Sequence, residues 1–276
     1  MRRAALCLLV VAGMIAVGCA KETPKTATQP TTPAVTPKAT PAPTPAAVTP
    51  VAPAAGEGTE VASLDSQKDA RVMFHSSEEE LNGGLSPRLR ASNIDGAGAE
   101  CGIVDFDRAA LKAALDQNKG KTVVVKLNLN IREVVAGQSG TLQIAALDTA
   151  SDWTKGEKNQ AKADKGECCA KAAQFGVKPW TTADGKEVGT LRDVFWDSGT
   201  DKAKTLVNEN TLTINASDKG KTLSVVLDPK FVQHLATDAK CKGIVLFTSE
   251  HNGVLLDLNG REQQPNGAPK LTVLVK

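Results

Sequence analysis

Val123-Val124-Val125-Lys126-Leu127-Asn128-Leu129-Asn130-Ile131-Arg132 is the stretch that decides the fold class. Its odd positions are all apolar and its even positions turn polar from Lys126 onward. Only an extended chain converts that period of two into one buried and one solvated face. The same alternation returns in Leu142/Ile144/Ala146, Leu212/Ile214, Leu223/Val225/Leu227 and Leu271/Val273/Val275. Strands of this kind belong to antiparallel sheets that pack on a core from one side. Three Asn-Gly pairs, at 252–253, 259–260 and 266–267, punctuate the last apolar runs. Asn-Gly readily takes the positive φ of tight hairpin turns, so the spacing predicts a closing β-meander.

Few other elements interrupt the strands. Asp107 can cap a helix from Arg108 to Gln117, with Leu111 and Leu115 on one face, and Pro229 suits the first turn of another that reaches about Leu235. Asn159 to Ala173 reads mainly as a long loop, and loops of that length in a compact domain are usually functional or stapled. If Val194-Phe195-Trp196-Asp197 forms a strand, Phe195 and Trp196 point to opposite faces and one ring is left exposed.

The N-terminus has a different character. Arg2 and Arg3 precede an apolar run from Leu6 to Val17, and Ala16 and Gly18 lead into Cys19. The run is too short for a membrane span of ~20 residues. With a small residue before the cysteine it resembles the lipobox of bacterial lipoproteins. The resemblance implies that residues 1–18 are a removed leader and that Cys19 carries lipid such as palmitate, holding the protein to a membrane. Ala20 in place of aspartate implies, in a Gram-negative host, sorting to the outer membrane or cell surface. From Thr23 to about Gly58 the chain is mostly Thr, Pro and Ala, so it cannot bury enough surface to offset its conformational entropy. Residues 19–61 are therefore expected to be a disordered linker, reaching on the order of 100 Å at ~3.1 Å per residue if fully extended. Residues 62–276 remain for one large β domain.

The formal charge of +2 comes wholly from Arg2 and Arg3. Lys21, Lys25 and Lys38 balance Glu22, Glu57 and Glu60, so the domain is neutral and gives no electrostatic footprint for nucleic acid. Its four cysteines, Cys101, Cys168, Cys169 and Cys241, suggest two disulfides in an exported protein. Vicinal cysteines rarely pair with each other, so Cys101 and Cys241 are each expected to bridge to one of Cys168 and Cys169. A metal site is the competing reading, without a CxxC spacing or a nearby histidine to support it.

The order of segments resembles the DNRLRE-type domain, also classed as carbohydrate-binding module family 96. Arg88-Leu89-Arg90 and Gly102-Ile103-Val104-Asp105-Phe106-Asp107 are similar to its "LRV … LLRFDLS" opening. Trp153 with Gly156 is similar to "W.EGT", and Pro179-Trp180-Thr181-Thr182-Ala183-Asp184-Gly185 to "PW.TPGG". Leu223 to Asp228 with Val232-Gln233 resembles "DVT..VQ.W", and Gly260-Arg261-Glu262 with Pro269-Lys270-Leu271 resembles "S.E … RP.L.V". Lys155-Gly156-Glu157, Ala183 and Leu235 depart from these patterns. The resemblance covers residues 70–276 and implies an all-β, antiparallel jelly-roll β-sandwich with one or two short helices, which in some members binds polysaccharide.

Sugar-binding sandwiches usually stack exposed rings on pyranose faces. Trp153 and Trp180 fall in the family-like patterns and are expected as plugs under the long loop, or else as sugar contacts. Trp196, with Phe195, is the leading candidate for an exposed stack. With so few rings, a charged or soluble glycan read by Arg88, Arg90, Lys126, Asn128, Asn130 and Arg132 fits better than a crystalline one. The plainer reading of the strand residues is a solvated face. Asp148 with Asp152, and Asp105 with Asp107, are candidates for a structural Ca²⁺. His75, His234 and His251 share no ligand spacing, and His234 is expected to pack on its helix. No nucleophile elbow, zinc-protease helix or phosphate loop is present, and no carboxylate pair stands out.

The expected function is therefore non-catalytic: a lipid-anchored, stalked sandwich that binds polysaccharide. The alternatives are a structural or adhesive protein that docks another envelope protein, and an enzyme acting on polysaccharide.

Overall fold

The computed structural model describes residues 58–94, 98–135, 139–197, 202–204, 206–248, 254–263 and 267–276. Cys19, the leader and almost all of the linker lie outside them, as do His251, Asn252, Gly253 and Asn266. Among the described residues no helix is long and apolar enough to cross a membrane.

The domain is an all-β sandwich of ten principal strands: β1 (Thr59–Met73), β2 (Arg88–Ile94), β3 (Gly98–Phe106), β4 (Val123–Val135), β5 (Ser139–Asp148), β6 (Asn210–Asn215), β7 (Thr222–Val226), β8 (Cys241–Phe247), β9 (Leu255–Asn259) and β10 (Lys270–Val275). Every pairing among them is antiparallel. The first sheet has the order β1-β10-β4-β7, and the second β1-β3-β8-β5-β6. β1 belongs to both, pairing with β10 through Thr59–Asp65 and with β3 through Ser66–Met73. A register shift between Ser66 and Lys68 marks where it passes from one sheet to the other. At the opposite seam β9 pairs with β4 and β2, and β2 pairs in turn with β3, so the ladder closes on itself.

The predicted meander does not form. β8 lies between β3 and β5, β9 between β4 and β2, and β10 between β1 and β4, so no two of these last strands pair. The interleaved order is of the Greek-key kind that jelly rolls use. Turn chemistry reports a reversal of the chain, but it does not name the strand that the reversed chain will pair with.

Between the sheets lies an aliphatic core. Val125, Leu127, Leu129 and Ile131 of β4 meet Leu142, Ile144 and Ala146 of β5, Ile244 and Leu246 of β8, and Leu271 and Val273 of β10. Two helices add to it: α1 (Arg108–Gln117) through Leu111 and Ala114, and α3 (Pro229–Thr237) through Phe231, Val232 and Leu235. Asp107 caps the first by accepting the Ala110 N–H at 2.9 Å, and Asp228 caps the second ahead of Pro229, accepting the Lys230 N–H at 2.8 Å. Caps of this kind contribute about 1 kcal/mol each.

The outer face of the second sheet is also buried. Ala70 and Val72 of β1, Cys101 and Ile103 of β3, Ala145 and Leu147 of β5, and Val245 and Phe247 of β8 pack beneath the segment 149–197. That segment folds back through short antiparallel pieces and α2 (Leu191–Phe195), a third helix where one or two were expected. No helix forms in Asn159 to Ala173, which contributes the short strand Ala161–Lys162, paired with Leu81–Asn82, and the start of Ala172–Gln174, paired with Lys178–Pro179. Asn82 ties the layer down. Its Nδ2 donates to the Lys155 and Cys168 carbonyls, each at 2.7 Å, and its Oδ1 accepts the Gly84 and Lys158 N–H groups, each at 3.0 Å. Gly156 has φ +83° and passes so close that a Cβ there would lie 2.4 Å from the Asn82 Nδ2.

Candidate functional site

Trp153 and Trp180 are buried under the long segment, as plugs would be, and Trp196, expected at the surface, is inside as well. Trp153, Trp180 and Trp196 are 3%, 0% and 6% exposed. Trp180 donates its indole N–H to the Cys169 carbonyl at 2.8 Å, and Trp153 donates to the Lys242 carbonyl at 2.9 Å with the Lys68 ammonium 4.1 Å above its ring. The expectation of a strand through Phe195 and Trp196 is corrected. Phe195 ends α2, only Trp196–Asp197 are extended, and both rings turn inward onto Phe247, with centroids at 5.0 and 5.6 Å. The local reason is a capping box, in which Asp193 Oδ2 accepts the Thr190 N–H at 2.9 Å and its Oγ–H at 3.0 Å. Thr190-x-x-Asp193 is legible in the sequence and was the signal for this helix.

Arg88 and Arg90 are likewise engaged. Both face Asp257, Arg90 through two bonds of 2.6 and 3.0 Å and Arg88 at 3.2 Å. Glu100 lies 3.7 Å from Arg90 and is held on its other side by Arg71. The Asp257 carboxylate, ahead of other causes, raises the Arg90 pKa. This network runs along the seam where β2 joins the two sheets. Of the predicted arginines only Arg132 is exposed.

The outer face of the first sheet carries a polar groove of about 300 Å³, lined by Asp65, Asn128, Asn130, Thr222 and Lys270 with the backbone of Gly267 and Ala268. Its carboxamides are pre-ordered across the strands. Asn128 Nδ2 donates to Thr272 Oγ1 at 2.9 Å and its Oδ1 accepts the Ser224 hydroxyl at 2.5 Å. Asn130 Oδ1 accepts the Asn259 amide at 3.2 Å, and Lys270 Nζ lies 3.3 Å from Asp65.

The carboxylate pairs considered for Ca²⁺ have separate duties. Asp152 is exposed and binds Lys242 at 2.8 Å, which lowers its pKa. Asp107 is a helix cap, and Asp105 lies between Lys68 at 3.5 Å and Arg108 at 3.7 Å. Asp148 is buried and meets different groups. Its Oδ1 is 2.6 Å from His234 Nε2, and its Oδ2 accepts the Leu206 N–H at 2.7 Å. His234 therefore does more than pack on α3, and its Nδ1 lies 3.3 Å from Asp238 Oδ2. Cys241 stands directly opposite Asp148 in the β5–β8 ladder, so one ligand-type atom each from Asp148, His234 and Cys241 lies within 4.8 Å of the others. Intervals of 86 and seven residues hide this cluster in the sequence, where only the strand register reveals it.

The expected disulfides are not formed: Cys101, Cys168, Cys169 and Cys241 are free and buried. Cys101 and Cys168 belong to the outer layer of the second sheet, Cys169 to a small cluster with Ala163 and Ala172, and Cys241 to the core between the sheets. A bond from Cys241 to either vicinal thiol would have to cross the sheet. Burial pushes the Cys241 thiol up to about 12 and raises the other three.

No protein-family model matches the chain, and a search of curated proteins finds no match.

Proposed function

We propose that the chain is an envelope lipoprotein, anchored through Cys19, whose non-catalytic sandwich binds a soluble, hydroxyl-rich polysaccharide in the polar groove of the first sheet. The groove itself carries this reading. Its volume of about 300 Å³ meets the lower end of the ~300–1,000 Å³ usual for ligand sites. Asn128 and Asn130 are held in place by Thr272, Ser224 and Asn259, so the groove presents fixed polar groups of the kind that suit sugar hydroxyls. The burial of all three indoles favours recognition by polar groups over stacking on an aromatic platform. The resemblance to a carbohydrate-binding family supports the same ligand class.

The test is affinity electrophoresis of the full chain through gels that contain neutral or charged polysaccharides. At least one glycan is expected to retard the protein, and Asn130→Ala together with Lys270→Ala to relieve the retardation. No retardation across the panel, with an envelope protein recovered by crosslinking on cells, would replace this reading with docking. Release of soluble sugar would replace it with an enzyme. The anchor is tested separately, by a fatty-acid label that Cys19→Ala should abolish; a label that persists would remove Cys19 from the account.

A further inference from the structure

The Asp148–His234–Cys241 cluster joins three chemistries that seldom meet by accident of packing: a carboxylate, an imidazole and a thiol, all buried and from separate elements. β5 supplies Asp148 at its last residue, β8 supplies Cys241 at its first, and α3, which leads into β8, supplies His234 from its last turn. We propose that Asp148, His234 Nε2 and Cys241 Sγ form a binding site for a divalent transition metal of the zinc class, with a fourth position open to the adjoining groove.

Spacing is the first support. Zinc holds oxygen and nitrogen at ~2.0–2.2 Å and sulfur at ~2.3 Å in a tetrahedron, which sets the ligand atoms roughly 3.3–3.6 Å apart. The cluster brackets that range, since Asp148 and His234 need to open from 2.6 Å and the remaining separations are at most 4.8 Å. Orientation is the second. Asp238 lies 3.3 Å from Nδ1, the place that carboxylates behind metal-bound histidines take. Nε2 and the Asp148 Oδ1 share a hydrogen bond of 2.6 Å, so a cation seated between them would take the place of its proton. The Leu206 N–H fixes the other oxygen of Asp148.

Access is the third support. Asp148 also lines a groove of about 360 Å³ with Thr182, Asp184, Lys204, Leu206 and Lys240. His234 and Cys241 are closed off behind it, so a metal would reach solvent past the carboxylate. A dication on one carboxylate and one thiolate is neutral overall, with the thiol proton passing to solvent on binding. The lysines around the groove then suit water or a small anion as fourth ligand.

The test titrates the full chain, freed of metal by chelation, with Co²⁺ and Zn²⁺ as the probes. One equivalent of Co²⁺ is expected to give tetrahedral d–d absorption and a sulfur-to-cobalt charge-transfer band, both displaced by Zn²⁺. Cys241→Ser, whose hydroxyl can still donate to the Gly243 carbonyl that the thiol faces, should lose the charge-transfer band. Asp238→Asn, a half-buried change outside the core whose amide oxygen can still accept the Lys240 N–H, should weaken Zn²⁺ binding by about 10–100-fold. Absence of the cobalt spectrum from the native chain, a charge-transfer band retained in Cys241→Ser, or unchanged affinity in Asp238→Asn would each overturn the site. None of these outcomes depends on whether a glycan binds.

Discussion

The two sheets share one core yet differ in what lies behind them. β4, at the centre of the first sheet, is buried on the face toward the core, and its other face carries Lys126, Asn128 and Asn130 at the surface. β8, at the centre of the second, is buried at nearly every position, because the segment 149–197 lies over the face that a simple sandwich would leave to water. Antiparallel strands tolerate either arrangement, but the second needs an extra layer of chain that is itself well packed. The first sheet is therefore free to carry recognition, while the second depends on its cover.

The sharpest way to break the comparison is Trp180→Ala, which removes the largest fully buried side chain of the covering layer. Loss of such a side chain costs about 3–5 kcal/mol. Urea denaturation should show that loss, and hydrogen exchange should place the first loss of protection in residues 149–197, with β4 still protected. Simultaneous loss in both places would mean that sheet and cover are one cooperative unit.

A smaller effect tests the closing end of β1, in the half that joins the second sheet. Asp69 is buried there and accepts the Arg261 N–H at 2.6 Å, yet burial raises its pKa to about 6. A folded-state pKa above the unfolded value means that ionisation opposes folding. The penalty is absent below about pH 4, grows as pH rises toward 6 and is complete above it, reaching at most about 3 kcal/mol. Asp69→Asn keeps an acceptor for Arg261, so its thermal midpoint should exceed that of the native chain at pH 7.5 and match it near pH 4. Equal midpoints at both pH values would show that folding leaves the Asp69 pKa unshifted.

The smallest effect belongs to the open face. Arg132→Ala on β4 should change stability by no more than about 0.5 kcal/mol in the same urea experiment, because the side chain stands in water. A larger loss would mean that the first sheet is covered too.

The same contrast explains what could be read in advance. Strand β4 was legible because an exposed face writes itself into the sequence as alternation. β8 was recognisable only as the apolar run Ile244-Val245-Leu246-Phe247, since burial on both faces erases the alternation that would indicate which side meets the core. Its pairing with β3 and β5 arises from contacts more than ninety residues apart, and local turn signals contain none of that information. Trp196 was misplaced for a related reason: a short apolar stretch looks extended until the Thr190–Asp193 box before it is weighed. The Asp148–His234–Cys241 cluster lay further out of reach, being assembled by strand register across two elements that the sequence does not align.

Asn82 carries one last implication. Its four hydrogen bonds help to close a covering layer that, among the described residues, is held by hydrogen bonds and packing without a disulfide. Thiol reductants have no bond to cut in the described part of the domain. Replacing the one carboxamide of Asn82 would leave two carbonyls and two N–H groups without their partner at once, so a single side chain joins residues 81–84 to the layer above.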